Sequence, residues 1–368
     1  MDHFCTYFDR GFLAQGLALA DSLRLHAPES TLWVLALDAF TADFLAELRH
    51  PQIRSVELAE VERTIPALAK AKGNRSMVEY YFTLSPCWPL YLLEHYSEIS
   101  CVTYLDADMF WFNSPQSVLE EMRGASVLIT EHRHPEHLQH HRRFGRFNVG
   151  LLAFRRDEIG LACLRWWSER CLEWCYDRVE GERYADQKYL DEWPERFGPS
   201  VRISRRLGVN LAPWNWTNHR YEIEDGAVLV NGEPLELFHF ARFHPELGDL
   251  WFQSGQLEYG VMPWSLRQAI YGVYWKALHE ARGQIRRLRP DFDFRPSSAR
   301  GWHRFWRALL PRLIFGSDWL RIGPYFISGR FGLGKYSGKF LSWSRHRGAR
   351  GSAASAVASR PIPSRARR

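Results

Sequence analysis

Apolar and polar residues alternate in two rhythms along the first sixty positions. The short runs 3-HFCTYFD-9, 32-LWVLALD-38 and 53-IRSVEL-58 predict strands, and the middle one is continuous enough to be buried on both faces. Between them, 12-FLAQGLALADSLRLHAP-28 and 41-TADFLAELR-49 carry apolar residues at helical spacing, the first stopping at Pro28. Strands alternating with helices predict a mostly parallel sheet. Farther on, 76-SMVEYYFTLSPCWPLYLLEHY-96 predicts a helix broken at Pro86 and Pro89. Strands are expected at 126-SVLITEHR-133 and 147-FNVGLLAFRRD-157, then a Trp- and Cys-rich helix over 158–180. A loop opens a short helix within 184-YADQKYLDEWPERF-197, and 205-RRLGVNLAPWNW-216 reads as a loop. A hairpin, a strand and a turn are expected within 226-GAVLVNGEPLELFHFARFHP-245. Past about residue 262 the pattern becomes basic and amphipathic, with a helix expected at 265–288.

One segment breaks the rhythm. The stretch 99-ISCVTYLDADMFWFNSP-115 is an apolar run that carries Asp106 and Asp108 before turning aromatic. If the strand ends at Leu105, both aspartates project from its carboxyl end, where open α/β sheets bind ligands. Two close carboxylates repel unless a cation lies between them. A divalent ion held by few carboxylates commonly completes its shell with substrate phosphates, so the pair reads as a clamp for metal and diphosphate. An Asp-x-Asp triplet alone is more often a pair of solvated turn residues. The apolar run before it and the aromatic run after it tell against that.

Composition adds a charge asymmetry. The chain of 368 residues has a formal charge of +6. From Ala281 onward there are 20 Lys and Arg against 3 Asp and Glu, a net +17, so the remainder carries −11. An acidic body with a basic tail points to an anionic surface. The Trp, Leu and Arg mixture of 302-WHRFWRALLPRLIFG-316 suits a membrane headgroup boundary, whereas no nucleic-acid motif is present. The Ala/Ser/Arg/Pro-rich residues 344–368 read as a disordered tail. There is no basic, apolar leader and no run long enough to span a bilayer. Six cysteines without a Cys-x-x-Cys pair fit a reducing cytoplasm, so the expected location is cytoplasmic and peripheral at the inner membrane face. The loop 132-HRHPEHLQHHRRFGR-146 holds five of the fifteen histidines, a composition that suits either metal binding or a solvated basic loop.

The order of motifs resembles the retaining GT-A nucleotide-sugar glycosyltransferases, particularly family eight and related bacterial transferases. The resemblance covers about residues 3 to 245 and rests on 4-FCTYFDRGFLAQGLALADSL-23, 104-YLDADMF-110, 148-NVG-150, 186-DQKYL-190 and 239-HF-240 followed by Pro245. It implies a Rossmann-like domain with a mixed, mostly parallel sheet flanked by helices, over 1–260. A basic aromatic helical extension over 261–343, a membrane-associating candidate, and the tail complete the expected organisation.

The resemblance also implies roles. Asp108 would ligate Mn²⁺ or Mg²⁺, Asp106 would share the ion and contact the donor ribose, and His239 would be the third ligand. An imidazole beside two carboxylates tilts the choice toward Mn²⁺. Thr6 and Tyr7 would face the base and ribose, with Arg75 near the diphosphate or donor sugar. Asn148 and Asp186 would bind donor-sugar hydroxyls. Gln187 would face the anomeric carbon, as nucleophile or as stabiliser of an oxocarbenium-like centre. Where family eight places Gly and Lys before Pro-Trp, this chain has 239-HFARFHP-245, and Arg242 would take the phosphate contact. Trp214 and Trp216 would stack on an acceptor sugar or pack in the core. The implied activity is transfer of a hexose, with retention, from a nucleotide-diphosphate sugar such as a UDP-hexose to a cell-surface polysaccharide or glycolipid. A non-catalytic carbohydrate- or membrane-binding protein is the alternative. A sugar nucleotidylyltransferase fits less well, because 6-TYFDRGF-12 lacks a Gly-rich phosphate loop.

Overall fold

The computed structural model describes residues 2–245, 250–253 and 256–294, and four strand segments between 319 and 342. The chain begins with β1 (His3–Phe8), α1 (Leu13–His26), β2 (Thr31–Ala36), α2 (Ala39–Leu48) and β3 (Ile53–Glu57), the three strands pairing in parallel. The helices α3 (Leu58–Thr64), α4 (Ala67–Asn74) and α5 (Met77–His95) lead to β4 (Cys101–Leu105), which pairs in parallel with β1. There follow β5 (Met109–Trp111), α6 (Gln116–Glu121), β6 (Val127–Glu131), β7 (Phe147–Arg155), α7 (Glu158–Glu173), α8 (Trp193–Arg196) and β8 (Val201–Ile203). The main sheet has seven strands in the order β3-β2-β1-β4-β7-β6-β8. Only β7 runs antiparallel to its neighbours, which makes the sheet mixed and mostly parallel.

Local chemistry explains where the helices begin. Asp38 accepts from the Thr41 N–H and Asp157 from the Gly160 N–H, which starts α2 and α7. Ser76 and Glu79 form a reciprocal capping box on α5. The break expected at Pro86 and Pro89 does not occur, and α5 runs continuously through both. Each proline removes one helical hydrogen bond, but both rings lie in a buried stretch, where packing outweighs that loss. The helix expected over 158–180 ends at Glu173, and the His-rich loop contains a 3₁₀ helix over Glu136–Phe144.

Side chains alternate across the sheet and divide the core in two. Phe4, Phe8, Leu32 and Val34 join one cluster, while Cys5, Trp33 and Leu35 join the other, beneath α5 and α7. The fully buried Trp88, Trp111, Trp167 and Trp193 contribute roughly 2–3 kcal/mol each by burial alone.

A second group of strands crosses the carboxyl end of the sheet. The hairpin β9 (Tyr221–Glu224) and β10 (Ala227–Val230) turns at Asp225-Gly226, and β11 (Glu233–Pro234) follows the Asn231-Gly232 turn. Next, β12 (Leu237–His239) pairs antiparallel with β5. After β13 (Phe243–Pro245) and β14 (Leu250–Gln253) come α9 (Gln256–Tyr259), α10 (Trp264–Arg267), a π turn over Gln268–Gly272 and α11 (Val273–Leu288). The helix expected at 265–288 is thus present with a π turn in it. Its face of Tyr274, Leu278, Ala281 and Ile285 is buried in the first cluster, together with residues of α1. The segments β15 (Trp319–Ile322), β16 (Tyr325–Ser328), β17 (Gly332–Lys335) and β18 (Phe340–Ser342) extend an antiparallel sheet from β14, so this part of the expected helical extension is strand. The stretch 302–316 and the tail 344–368 lie outside the described residues. Among the described residues, no helix is long and apolar enough to cross a membrane.

Candidate active site

The two aspartates sit where the main sheet hands the chain to the second group of strands. β4 ends at Leu105, and a turn through Asp106, Ala107 and Asp108 enters β5. The Asp106 N–H donates to the Gly150 carbonyl of β7 at 3.0 Å, and the Met109 N–H donates to the Asp106 carbonyl at 3.1 Å. Pairing of β5 with β12 sets His239 opposite Met109. The Phe240 N–H donates to the Asp108 carbonyl at 2.9 Å, which fixes the crossing.

This pairing brings together residues far apart in sequence. His239 Nε2 lies 3.1 Å from Asp108 Oδ1 and 3.6 Å from Asp106 Oδ2. The ligand atoms of all three lie within 4.8 Å of one another. Tyr104 donates its hydroxyl to Asp106 Oδ1 at 2.8 Å, holding the carboxylate in place. Gly150 is the floor beneath the imidazole. A Cβ at Gly150 would stand 2.6 Å from Asn148 Oδ1 and 2.8 Å from His239 Nδ1, so a side chain there would collide with the site.

Burial raises the pKa of Asp106, with the Asp108 charge adding to the rise and His239 opposing it. For His239, burial favours the neutral ring, but the charges of Asp108 and then Asp106 outweigh it and raise the pKa. The imidazole sits against both carboxylates and offsets their mutual repulsion, and its Nδ1 is buried without a partner. The donor set of two carboxylates and a histidine nitrogen fits a divalent ion of the Mn²⁺ type.

A cavity of about 400 Å³ adjoins this trio. Asp186, Gln187, His132, Trp214, Arg242 and Glu258 are among its lining residues. Trp214 links the two regions, its ring 5.2 Å from that of His239. Asp186 follows Ala185, whose φ of +46° is a strained, left-handed conformation for a residue with a side chain. The Trp167 indole N–H donates to the Asp186 carbonyl at 2.8 Å and anchors the turn. Burial pushes the Asp186 carboxyl up to about 7; Asp106 adds to this, and the Ser85 hydroxyl opposes it. The Gln187 amide NH₂ donates to the Phe144 carbonyl at 2.9 Å. Because that carbonyl only accepts, the orientation of the amide is fixed, with its oxygen as the remaining polar atom.

The other expected residues are placed differently from one another. Asn148 is buried, accepts from the Gly150 N–H at 3.1 Å and lies 3.4 Å from His132 Nε2. Arg242, half exposed and at φ +62°, lies 3.4 Å from Glu258 and over the Tyr259 ring. Tyr7 hydrogen-bonds Ser85 at 3.0 Å and leans on Tyr104. Thr6 is fully buried on the opposite face of β1. Arg75 is engaged elsewhere: its guanidinium donates to Thr83 and to the Cys171 and Leu172 carbonyls, at the open C-terminal end of α7. Trp214 sits in the wall of the site and donates to the His132 carbonyl at 3.1 Å, whereas Trp216 packs against the first core cluster beside Tyr221.

Several residues of the site are assigned no role from the sequence. Tyr104, Gly150 and Ser85 act through contacts that depend on strand pairing. His132 stands out in the sequence only as one of five loop histidines. Burial and the neighbouring His134 lower its pKa to about 3, so it is a neutral, buried ring beside Asn148 and Trp214.

No family model matches the chain. It is similar to the uncharacterized protein YfnF of Bacillus subtilis (strain 168), with 34% identity over 250 residues that span 65% of this chain and 81% of YfnF. It is also similar to the uncharacterized protein YfnD of the same organism, with 29% identity over 297 residues, 79% of this chain and 93% of YfnD. A crystal structure of the galactosyltransferase LgtC with donor and acceptor sugar analogs aligns over 73% of this chain and 100% of that one, at 17% identity and a TM-score of 0.47. Mouse xyloside xylosyltransferase 1 aligns over 65% of this chain and 97% of that one, at 14% identity and a TM-score of 0.42.

Proposed function

We propose, starting from the fact that this chain belongs to the family of the Bacillus subtilis protein YfnF, that it is a metal-dependent GT-A glycosyltransferase using a nucleotide-diphosphate sugar such as a UDP-hexose. The observation that carries this reading is the convergence of Asp106, Asp108 and His239 at the carboxyl end of β4, beside a cavity lined by Asp186 and Gln187. A structural ion pair would need only one carboxylate and no cavity. When bound there, a divalent ion would neutralise the diphosphate of the departing nucleotide.

The chain's own residues supply the rest. Asp108 and His239 would hold the ion, and Asp106, braced by Tyr104, would share it and face the donor ribose. Asp186, its acid form favoured by burial, donates to or accepts from a donor-sugar hydroxyl together with Asn148. Gln187 keeps its amide nitrogen on Phe144 and turns its carbonyl dipole toward the anomeric carbon. That dipole stabilises developing positive charge better than it attacks, because an amide is a poor nucleophile. Transfer with retention to a polysaccharide or glycolipid acceptor completes the reading. The net +17 of charge from Ala281 onward supports docking at an anionic membrane surface.

The test is release of UDP from a panel of UDP-hexoses with Mn²⁺ and with EDTA, and NMR assignment of the product's anomeric configuration. The reading expects Mn²⁺-dependent turnover that Asp108→Ala abolishes. Turnover equal in EDTA, or unaffected by Asp108→Ala, contradicts it.

A further inference from the structure

The same cavity carries a second cluster of side chains with metal-ligating atoms, which glycosyl transfer leaves unused. We propose that His140, His141 and Glu258 form a second divalent-cation site, of the zinc type, on the cavity wall. Ligand atoms of the three lie within 4.8 Å of one another. His141 Nε2 is 2.6 Å from Glu258 Oε1, and the rings of His140 and His141 are 4.4 Å apart.

His134 stands next to them, its ring 5.4 Å from that of His141. Its Nδ1 is buried and has no hydrogen-bond partner. Histidine nitrogens with one carboxylate suit zinc, which takes four ligands at about 2.0–2.2 Å, better than magnesium, which prefers oxygen. The two sites share no residue. Arg242 lies 3.4 Å from the other oxygen of Glu258.

The placement has a structural consequence. His140 and His141 belong to the 3₁₀ helix Glu136–Phe144, and Glu258 belongs to α9. An ion would therefore clasp two segments distant in sequence across the cavity wall. Phe144, the last residue of that 3₁₀ helix, accepts the Gln187 hydrogen bond, so the clasp would also hold the backbone on which Gln187 is oriented.

The site stands on its own geometry and is tested apart from glycosyl transfer. Zn²⁺ and its spectroscopic substitute Co²⁺ would be titrated into the full chain in an Asp108→Ala background, with calorimetry for affinity and Co²⁺ absorption for coordination. The expected result is one retained ion with a low-symmetry Co²⁺ spectrum. Adding His141→Ala, or Glu258→Gln where the alanine variant fails to fold, should weaken it by more than about tenfold. Adding His137→Ala, an exposed histidine of the same loop outside the cluster, should leave it unchanged. No retained ion in Asp108→Ala, or equal loss from His137→Ala and His141→Ala, overturns the assignment.

Discussion

Asp186 carries a buried carboxyl whose ionisation the fold resists, and replacing it with Asn should make that resistance measurable. Its pKa is pushed from an unperturbed 3.8 up to about 7, chiefly by burial. A raised folded-state pKa means the folded chain holds its proton after the unfolded chain has released it. Stability from this group is therefore fully present below about pH 4, declines as pH rises and levels off above about pH 7. A gap of about three pKa units corresponds to roughly 4 kcal/mol over the full range, of which about 3 kcal/mol falls between pH 5 and pH 8. Asparagine keeps the shape and has no proton to lose. The unfolding free energies of the parent and Asp186→Asn, measured by urea denaturation at pH 5 and pH 8, should thus diverge by about 3 kcal/mol in favour of the variant at the higher pH. A difference that stays constant across that window would refute the reasoning, because it would mean that Asp186 ionises in the fold as readily as in the unfolded chain.

Three further outcomes follow from the same geometry. Gly150→Ala should weaken Mn²⁺ binding at least tenfold by displacing His239, and should cost about 1–3 kcal/mol of stability from overpacking; calorimetric Mn²⁺ titration and thermal melting check the two. Tyr104→Phe removes the hydroxyl that holds Asp106, so Mn²⁺ affinity should fall by about tenfold while the melting temperature changes little, read in the same two assays. Arg75→Ala strips donors from Thr83 and from the last carbonyls of α7, which should cost about 2–4 kcal/mol in urea unfolding; a change below about 0.5 kcal/mol, by the same measurement, would contradict that role.

Much of the main sheet is legible because its strands report themselves locally. β1, β2 and β3 are apolar runs separated by helical periodicity, and the order of pairing follows from chain continuity. The pair Asp106 and Asp108 is also legible, since both stand in an apolar setting that solvated turns lack. Other features depend on pairings between distant segments. That β12 crosses to β5, placing His239 over Gly150, is decided by the Asp108–Phe240 hydrogen bond and a buried aromatic seam, neither of which has a local signature. Tyr104, one residue from the end of its strand, reads as core and is both core and brace. The break expected at Pro86 and Pro89 is absent because packing, not the local rule, decides there. The hairpin expected from residue 226 begins earlier, because β9 (Tyr221–Glu224), only partly buried, pairs with β10 across the Asp225-Gly226 turn.

The most direct test of the metal-dependent reading is Mn²⁺ binding with and without UDP, followed by electron paramagnetic resonance on the parent chain and on Asp108→Ala. The expected result is one Mn²⁺ per chain at the Asp106–Asp108–His239 site, held more tightly when UDP is present, and loss of that UDP-linked signal in the variant. A UDP-linked Mn²⁺ signal of equal strength in Asp108→Ala, or no effect of UDP on Mn²⁺ in the parent, would contradict the account.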